Sequence, residues 1–382
     1  MKYAKTSKIK DNLPAIVFCL FLLVMMVLFF ALPKQKESVN EKRKLEETPQ
    51  FSWKTLSDGT FGKNVETYLS DHFAGRDFFV GLNAYYDLAS GRNGTSGVYK
   101  GEDGYLINTP IKYDKDNLQK NLQKINHFAK SAGIPTRMMV APSTGYIMGE
   151  MLPRVHNPYI DDEIFETMQS VLSEQVEFIS LMESFLQNKG NIQLYYKTDH
   201  HWTSDGAYLA YQKYCESAGL TAAPESSFTI KTYPDFYGTT YSRSALWGSA
   251  PDEIRVYEPK QSGGYHVLID DGAEGKKESD SMFFENHLNE ADKYPVFLDG
   301  NHSFEKITNQ NGNGKKLLLI KDSFGHCFAP FLAGNYSEIY MVDLRYYKSP
   351  LTKLVQEEGI DECLVLYGLD NIVNDTNIAW LK

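Results

Sequence analysis

The chain has 382 residues, 42% hydrophobic and 23% charged, with 49 acidic against 39 basic side chains and a net charge of −10. That acidity argues against nucleic acid and against a basic surface hugging anionic lipid, both of which need an excess of Lys and Arg. The four cysteines, with no C-x-x-C pair among them, exclude a disulfide scaffold and argue against structural zinc.

Residues 1–12 hold Lys2, Lys5, Lys8 and Lys10 against one aspartate, so the acidity resides in the rest of the chain. Residues 13–33 are uncharged and about 20 residues long, enough to cross a bilayer core as a helix. With lysines before it, the positive-inside rule predicts a cytoplasmic N-terminus, a single-pass signal anchor in the cell membrane and an extracytoplasmic remainder. A cleaved signal peptide is the rival. Its apolar region is normally about 7–15 residues and ends in a small-x-small site, which Phe29-Phe30-Ala31-Leu32-Pro33 does not offer.

Residues 34–60 begin with a charged, Gly-free stretch and read as a tether; residues 61–382 read as the extracytoplasmic domain. Aromatic-rich helical patterns follow near Phe61–Leu69 and Phe78–Leu88, and Val98–Ile107 reads as a hairpin around a Gly-containing turn. From Asn117 helix and strand alternate. Leu118, Leu122, Ile125, Phe128 and Ala129 share a helical face, stopped at Gly133, and Thr136–Ala141 is a short apolar strand. A helix around Ile164–Leu172, a strand at Val176–Leu181 and a further strand at Gln193–Tyr196 come next. Thr203 or Ser204 is placed to cap a helix whose inner face carries Ala207, Ala210, Tyr211 and Tyr214.

Residues 224–313 are rich in Gly, Ser, Asp and aromatics and read as an irregular, β-containing insertion. The regular pattern resumes with Lys316–Ile320, a helix Phe324–Ala333, and apolar strands at Ile339–Val342 and Cys363–Tyr367. Alternating strands and helices predict an α/β fold with a mostly parallel sheet covered on both faces, binding ligands beyond the carboxyl ends of its strands.

Two runs at such ends carry chemistry: Asp199-His200-His201-Trp202 and Lys321-Asp322-Ser323-Phe324-Gly325. A carboxylate that orients an imidazole, and an imidazole that takes the proton of a hydroxyl, are the parts of a nucleophilic relay. Asp199 is read as the orienting acid, His201 as the general base and Ser323 as the nucleophile of acyl-ester chemistry. The bland alternative for Ser323 is a helix N-cap. The amides of Ser323 and Gly325 are candidates to hold an oxyanion, with Arg345 and Asn301 as further oxyanion or substrate-binding candidates. Arg345 has an ion pair with Asp343 as its alternative. His200 and Trp202 read as packing or a wall of the substrate cleft. Asp199, His200, His201 and His326 are also four possible metal ligands, but adjacent His side chains diverge and no H-E-x-x-H run exists; no metal is assigned.

At these residues the chain resembles the DHHW protein family of the SGNH-hydrolase superfamily and is similar to the exported alginate O-acetyltransferases. Thr198-Asp199-His200-His201-Trp202 matches the Asp-x-His-Trp motif, Asp322-Ser323-Phe324-Gly325 the later serine element, and Gly97–Leu106 and Asp343–Tyr347 look like further family segments. The resemblance implies a three-layer α/β/α sandwich with a metal-independent Asp-His-Ser triad, in the permuted order of the alginate relatives. The family's oxyanion Gly and Asn blocks have no clear counterpart here. It also implies a cofactor-free O-acetyltransferase acting on a cell-surface or secreted polysaccharide, with a multi-pass membrane acyltransferase supplying acetyl. Water as acceptor would make the same machinery a carbohydrate acetyl esterase. A vestigial triad would leave a glycan-binding or assembly subunit, for which the 25 Tyr and 22 Phe are suited.

Overall fold

The structure is a computed structural model that describes residues 5–261 and 264–381; Lys2 and the Ser262-Gly263 pair of the insertion lie outside the described residues. The chain divides into two units, one of residues 1–92 with 245–247, the other of residues 93–244 with 248–382.

In the first unit the apolar run forms α1 (Lys5–Ala31), whose stretch Asn12–Ala31 has a mean hydropathy of 3.0. By length and composition it is able to cross a membrane, and a signal sequence passes the same test. A charged two-residue ladder pairs Glu37–Ser38 with Arg43–Lys44. It is tied to the helices α2 (Thr60–Asp71) and α3 (Arg76–Ala89) by ion pairs from Arg43 to Asp71 and from Arg76 to Glu41.

The second unit is a three-layer α/β/α sandwich. Its eight-stranded sheet is built from β1 (Thr136–Ala141), β2 (Val176–Ser180), β3 (Tyr265–Asp270), β4 (Lys276–Ser279), β5 (Phe304–Asn309), β6 (Lys316–Lys321), β7 (Glu338–Val342) and β8 (Glu362–Gly368). The strands lie in the order β4-β3-β5-β7-β6-β8-β1-β2. The five from β7 to β2 are parallel and the remaining three add on antiparallel. The layers follow from side-chain alternation in continuous apolar strands. Leu317 and Leu319 of β6 join the core under α6 (Ser204–Ala218) and α7 (Gly325–Leu332). Leu318 and Ile320 join the opposite core, under α4 (Lys115–Ala132), α5 (Asp161–Val171) and α8 (Leu351–Glu358).

Two segments differ from the sequence expectation. Gln193–Tyr196 is not a sheet strand; its one ladder contact is the bridge from Tyr195 to Trp202, which folds the Asp-His-His run back on itself. The segment 224–313 is more regular than its composition suggested. It holds the antiparallel pair Phe228–Phe236 and Asp252–Pro259, and it supplies β3, β4 and β5.

Candidate active site

Ser323 lies just beyond β6, and the residue before it fixes the turn. Asp322 is buried, and its carboxylate accepts from the amide of Phe324 at 2.9 Å, the amide of Gly368 at 2.8 Å and the Asn371 side chain at 2.7 Å. The end of β8 is thereby stapled to the turn that presents the serine. Helix α7 starts only at Gly325, with Phe324 as its cap residue, so Ser323 is not spent on capping. Its Oγ turns instead to His201.

The Asp-His-His run is held in its bend by a second buried carboxylate. Asp252 accepts from the Thr198 amide and hydroxyl, both at 2.7 Å, and from the Lys197 amide at 2.9 Å. Asp199 Oδ1 accepts from the His201 amide at 2.9 Å and meets His201 Nδ1 at 2.5 Å; Oδ2 accepts from the Thr239 amide at 2.6 Å. Gly238 is required beside it, because a Cβ there would collide with the Asp199 side chain. His201 Nε2 is 2.7 Å from Ser323 Oγ.

The protons follow from the inventory of donors. Burial opposes the charge on Asp199, but the two adjacent imidazoles and the Thr239 amide outweigh it and hold the carboxyl well below the usual range. An ionised carboxylate only accepts, so Nδ1 of His201 carries the hydrogen and Nε2 is left to accept from the serine hydroxyl. That arrangement suits proton removal from an attacking oxygen.

The other expected residues fall around this line. His200 does not diverge: its ring lies 3.9 Å from that of His201, and its Nδ1 is 2.6 Å from the Thr239 hydroxyl. Burial, then the neighbouring His201, lowers its pKa to about 3, so it is neutral near pH 7. Trp202 is fully buried beneath the serine turn, and its indole N–H donates to the Phe324 carbonyl at 3.1 Å. The amide of Gly325 donates to the Asp322 carbonyl, whereas that of Ser323 makes no hydrogen bond among the described residues. Of the two amides expected at an oxyanion, that of Gly325 is therefore engaged and that of Ser323 is available among the described residues.

Arg345 and Asn301 stand off the same edge of the sheet. Val342 pairs with both Ile320 and Phe304, and Ser323, Arg345 and Asn301 each lie three residues beyond those partners. Arg345 is tied to Asp343 through both Nε and Nη2, and Nη2 also donates to the Asn301 side-chain oxygen at 2.8 Å. Both line a groove of about 960 Å³, with His302, Tyr346, Tyr347 and Lys348. A narrower cleft of about 40 Å³ lies toward β8 and β1, lined by Asn108, Ser143, Asp199, His200 and Asp370.

Asp199, His200 and His201 are close enough to share a cation, with ligand atoms within 4.8 Å of one another, and His326 is not part of that group. Both ring nitrogens of His201 already have partners, Asp199 Oδ1 and Ser323 Oγ, so a shared cation would have to displace one of these contacts.

Sequence reasoning missed Tyr294. Its ring stacks on His201 at 4.2 Å and 9°, and its hydroxyl donates to the Ser323 carbonyl at 3.3 Å. It also missed the anchoring carboxylates Asp252 and Asp322 and the acid Asp370. Only Asp322 carries a local signal, since it follows directly on an apolar strand.

The sequence profile of the family described as DHHW protein matches residues 41–101 and 161–342. Among curated proteins, the chain is 27% identical over 165 residues to the probable alginate O-acetylase AlgJ of Pseudomonas fluorescens, covering 41% of this chain and 42% of that one. The protein of the same description from Pseudomonas putida is 23% identical over 187 residues, covering 46% and 49%. The chain thus spans less than half the length of the curated relatives it matches. Among solved structures, a DHHW family protein from Eubacterium siraeum superposes with a TM-score of 0.64 at 24% identity, over 75% of this chain and 95% of that one. Bacillus cereus PatB1 with a sulfonyl adduct gives 0.64 at 21%, over 74% and 97%. Both likenesses are of fold.

Proposed function

The chain belongs to the DHHW protein family, and on that premise we propose that it is an extracytoplasmic, serine-dependent O-acetyltransferase acting on a cell-surface or secreted polysaccharide. The observation that carries this reading is the unbroken line from Asp199 through His201 to the half-buried Ser323 hydroxyl. The name of the curated relatives, alginate O-acetylase, supports acetyl transfer to a glycan.

The chemistry runs in two halves. Nε2 of His201 takes the Ser323 proton as Oγ attacks the carbonyl carbon of an acetyl donor, and the oxyanion forms against the Ser323 amide. The carbon–leaving-group bond then breaks, the leaving group receives the proton from His201, and Ser323 carries the acetyl. In the second half His201 deprotonates a sugar hydroxyl, that oxygen attacks the acetyl carbon, and the proton returns to Ser323 as its ester bond breaks. Asp199 stabilises the imidazolium throughout. Arg345 and Asn301, fixed to each other beside the wide groove, are read as acceptor-side residues. The groove's Tyr346 and Tyr347 offer faces for sugar rings.

The apolar residues 13–33 serve in this reading as an uncleaved anchor, with residues 1–12 cytoplasmic, residues 34–60 as tether and the serine domain outside. The donor then arrives through a multi-pass membrane acyltransferase. The test is hydrolysis of a chromogenic acetyl ester by the wild-type chain and by Ser323→Ala, followed by mass spectrometry of an oligosaccharide panel for acetylated product. Wild-type hydrolysis lost in Ser323→Ala, with acetylated oligosaccharide formed, is expected. Equal rates would leave a non-catalytic glycan-binding subunit, and hydrolysis without any acetylated sugar would leave an esterase.

A further inference from the structure

Helix α3 is packed inside out. An amphipathic surface helix turns its large apolar residues inward, but here the buried positions are Gly81 and Ala84. Gly81 is held small by the Trp247 indole, which a Cβ would strike. The large residues face outward instead: Phe78 is 66% exposed, Leu82 52%, Tyr85 41% and Tyr86 68%. Their spacing of four, three and one puts them in a single stripe along the helix. Water is a poor neighbour for such a stripe, and exposed apolar patches of this kind mark an interaction surface.

What covers it is indicated by where the helix lies within its own unit. Phe79 of α3 meets Phe21 of α1 edge to face, with ring centroids 6.4 Å apart. Tyr68 of α2 meets Phe29 of α1 in the same way at 6.0 Å, and Met25 between them is buried. The helical pair α2–α3 therefore lies alongside the C-terminal half of the apolar helix. A helix flanking a membrane-embedded segment has lipid, not water, on its free side. Two of the four, Tyr85 and Tyr86, carry the amphipathic ring that favours the boundary between acyl chains and headgroups. The charged groups at the ends of α3 have local partners: Arg76 pairs with Glu41 and, at 3.4 Å, with Asp77, to which Asn40 also donates, and Asp87 pairs with Arg92.

We infer that α3 is an interfacial helix whose Phe78–Leu82–Tyr85–Tyr86 stripe sits in the outer leaflet of the bilayer crossed by α1. This rests on the reading of α1 as an anchor.

The test uses the full chain in phosphatidylethanolamine–phosphatidylglycerol vesicles. Cys19, the one exposed cysteine among the described residues, is replaced by Ser, and single nitroxide labels are placed through Phe78→Cys, Tyr86→Cys, Val24→Cys and Lys353→Cys. Collision with oxygen, which concentrates in lipid, is compared with collision with a water-soluble nickel chelate. The expected oxygen-to-nickel ratio is several-fold higher at positions 78, 86 and 24 than at 353. If positions 78 and 86 match 353 while 24 reads lipid, the anchor stands and this inference is overturned. If 78 and 86 are shielded from both reagents, protein rather than lipid covers the face, which also overturns it. An aqueous reading at 24 would remove the anchor and the inference together.

Discussion

Residue by residue, the relay depends on tautomer as much as on distance. Asp199→Asn keeps the shape but offers a neutral amide to His201, so it is expected to lower kcat for acetyl-ester hydrolysis by about two to four orders of magnitude. The thermal midpoint should change little. Tyr294 acts through His201. Tyr294→Phe keeps the stacked ring and loses one hydrogen bond, whereas Tyr294→Ala removes a stack worth about 0.5–1.5 kcal/mol. Near-normal kcat is expected for the first and a roughly threefold to tenfold loss for the second, read as steady-state kcat with KM unchanged. A different pH signature belongs to Asp370, which lines the narrow cleft. Burial pushes its carboxyl up to about 6, against the opposing charge of Arg243. It is neutral below that pH and negative above it, so inhibition by acetate should weaken as pH rises through about 6 and lose that step in Asp370→Asn. A step that survives the substitution would remove Asp370 from the cleft's electrostatics.

Among the elements, two buried carboxylates do for the loops what hydrogen-bonded ladders do for strands. Asp322→Ala would leave two backbone amides and the Asn371 side chain without their acceptor. A cost of about 2–4 kcal/mol in urea unfolding is expected, because buried donors are left unpaired. How much of this was legible in the sequence divides along physical lines. The parallel strands announce themselves as unbroken apolar runs such as Leu317–Ile320, and Asp199, His201 and Ser323 could be picked out by residue type and spacing. Strand β3 could not, since Tyr265–Asp270 alternates buried and half-buried positions and carries His and Asp. The strand expected at Gln193–Tyr196 failed for the converse reason. Its apolar residues Leu194, Tyr195 and Tyr196 are buried in the core on one face of the sheet without pairing into it as a strand. Asp252 and Tyr294 reach the site from 51 and more residues downstream of His201 through contacts no local pattern encodes.

For the molecule as a whole, the two units should answer differently to acid. The hydrogen bond from Arg43, supported by the Glu46 amide and opposed by burial, holds the Asp71 carboxyl down to about 2. Because the folded-state value is depressed, its stabilisation is present above the ordinary carboxylate range and is lost as pH falls through about 2. Amides of α2 should therefore lose hydrogen-exchange protection over that window, and Asp71→Asn should abolish the pH dependence; protection unchanged down to the lower limit would refute the assignment. None of this bears on catalysis as directly as the fate of one oxygen. The chain is mixed with an activated aryl acetate, quenched with acid, digested and read by tandem mass spectrometry. One acetyl group is expected on Ser323 in the wild type, absent from His201→Ala at the same quench time. Acetyl found on another side chain, with Ser323 unmodified while ester is being consumed, would contradict it.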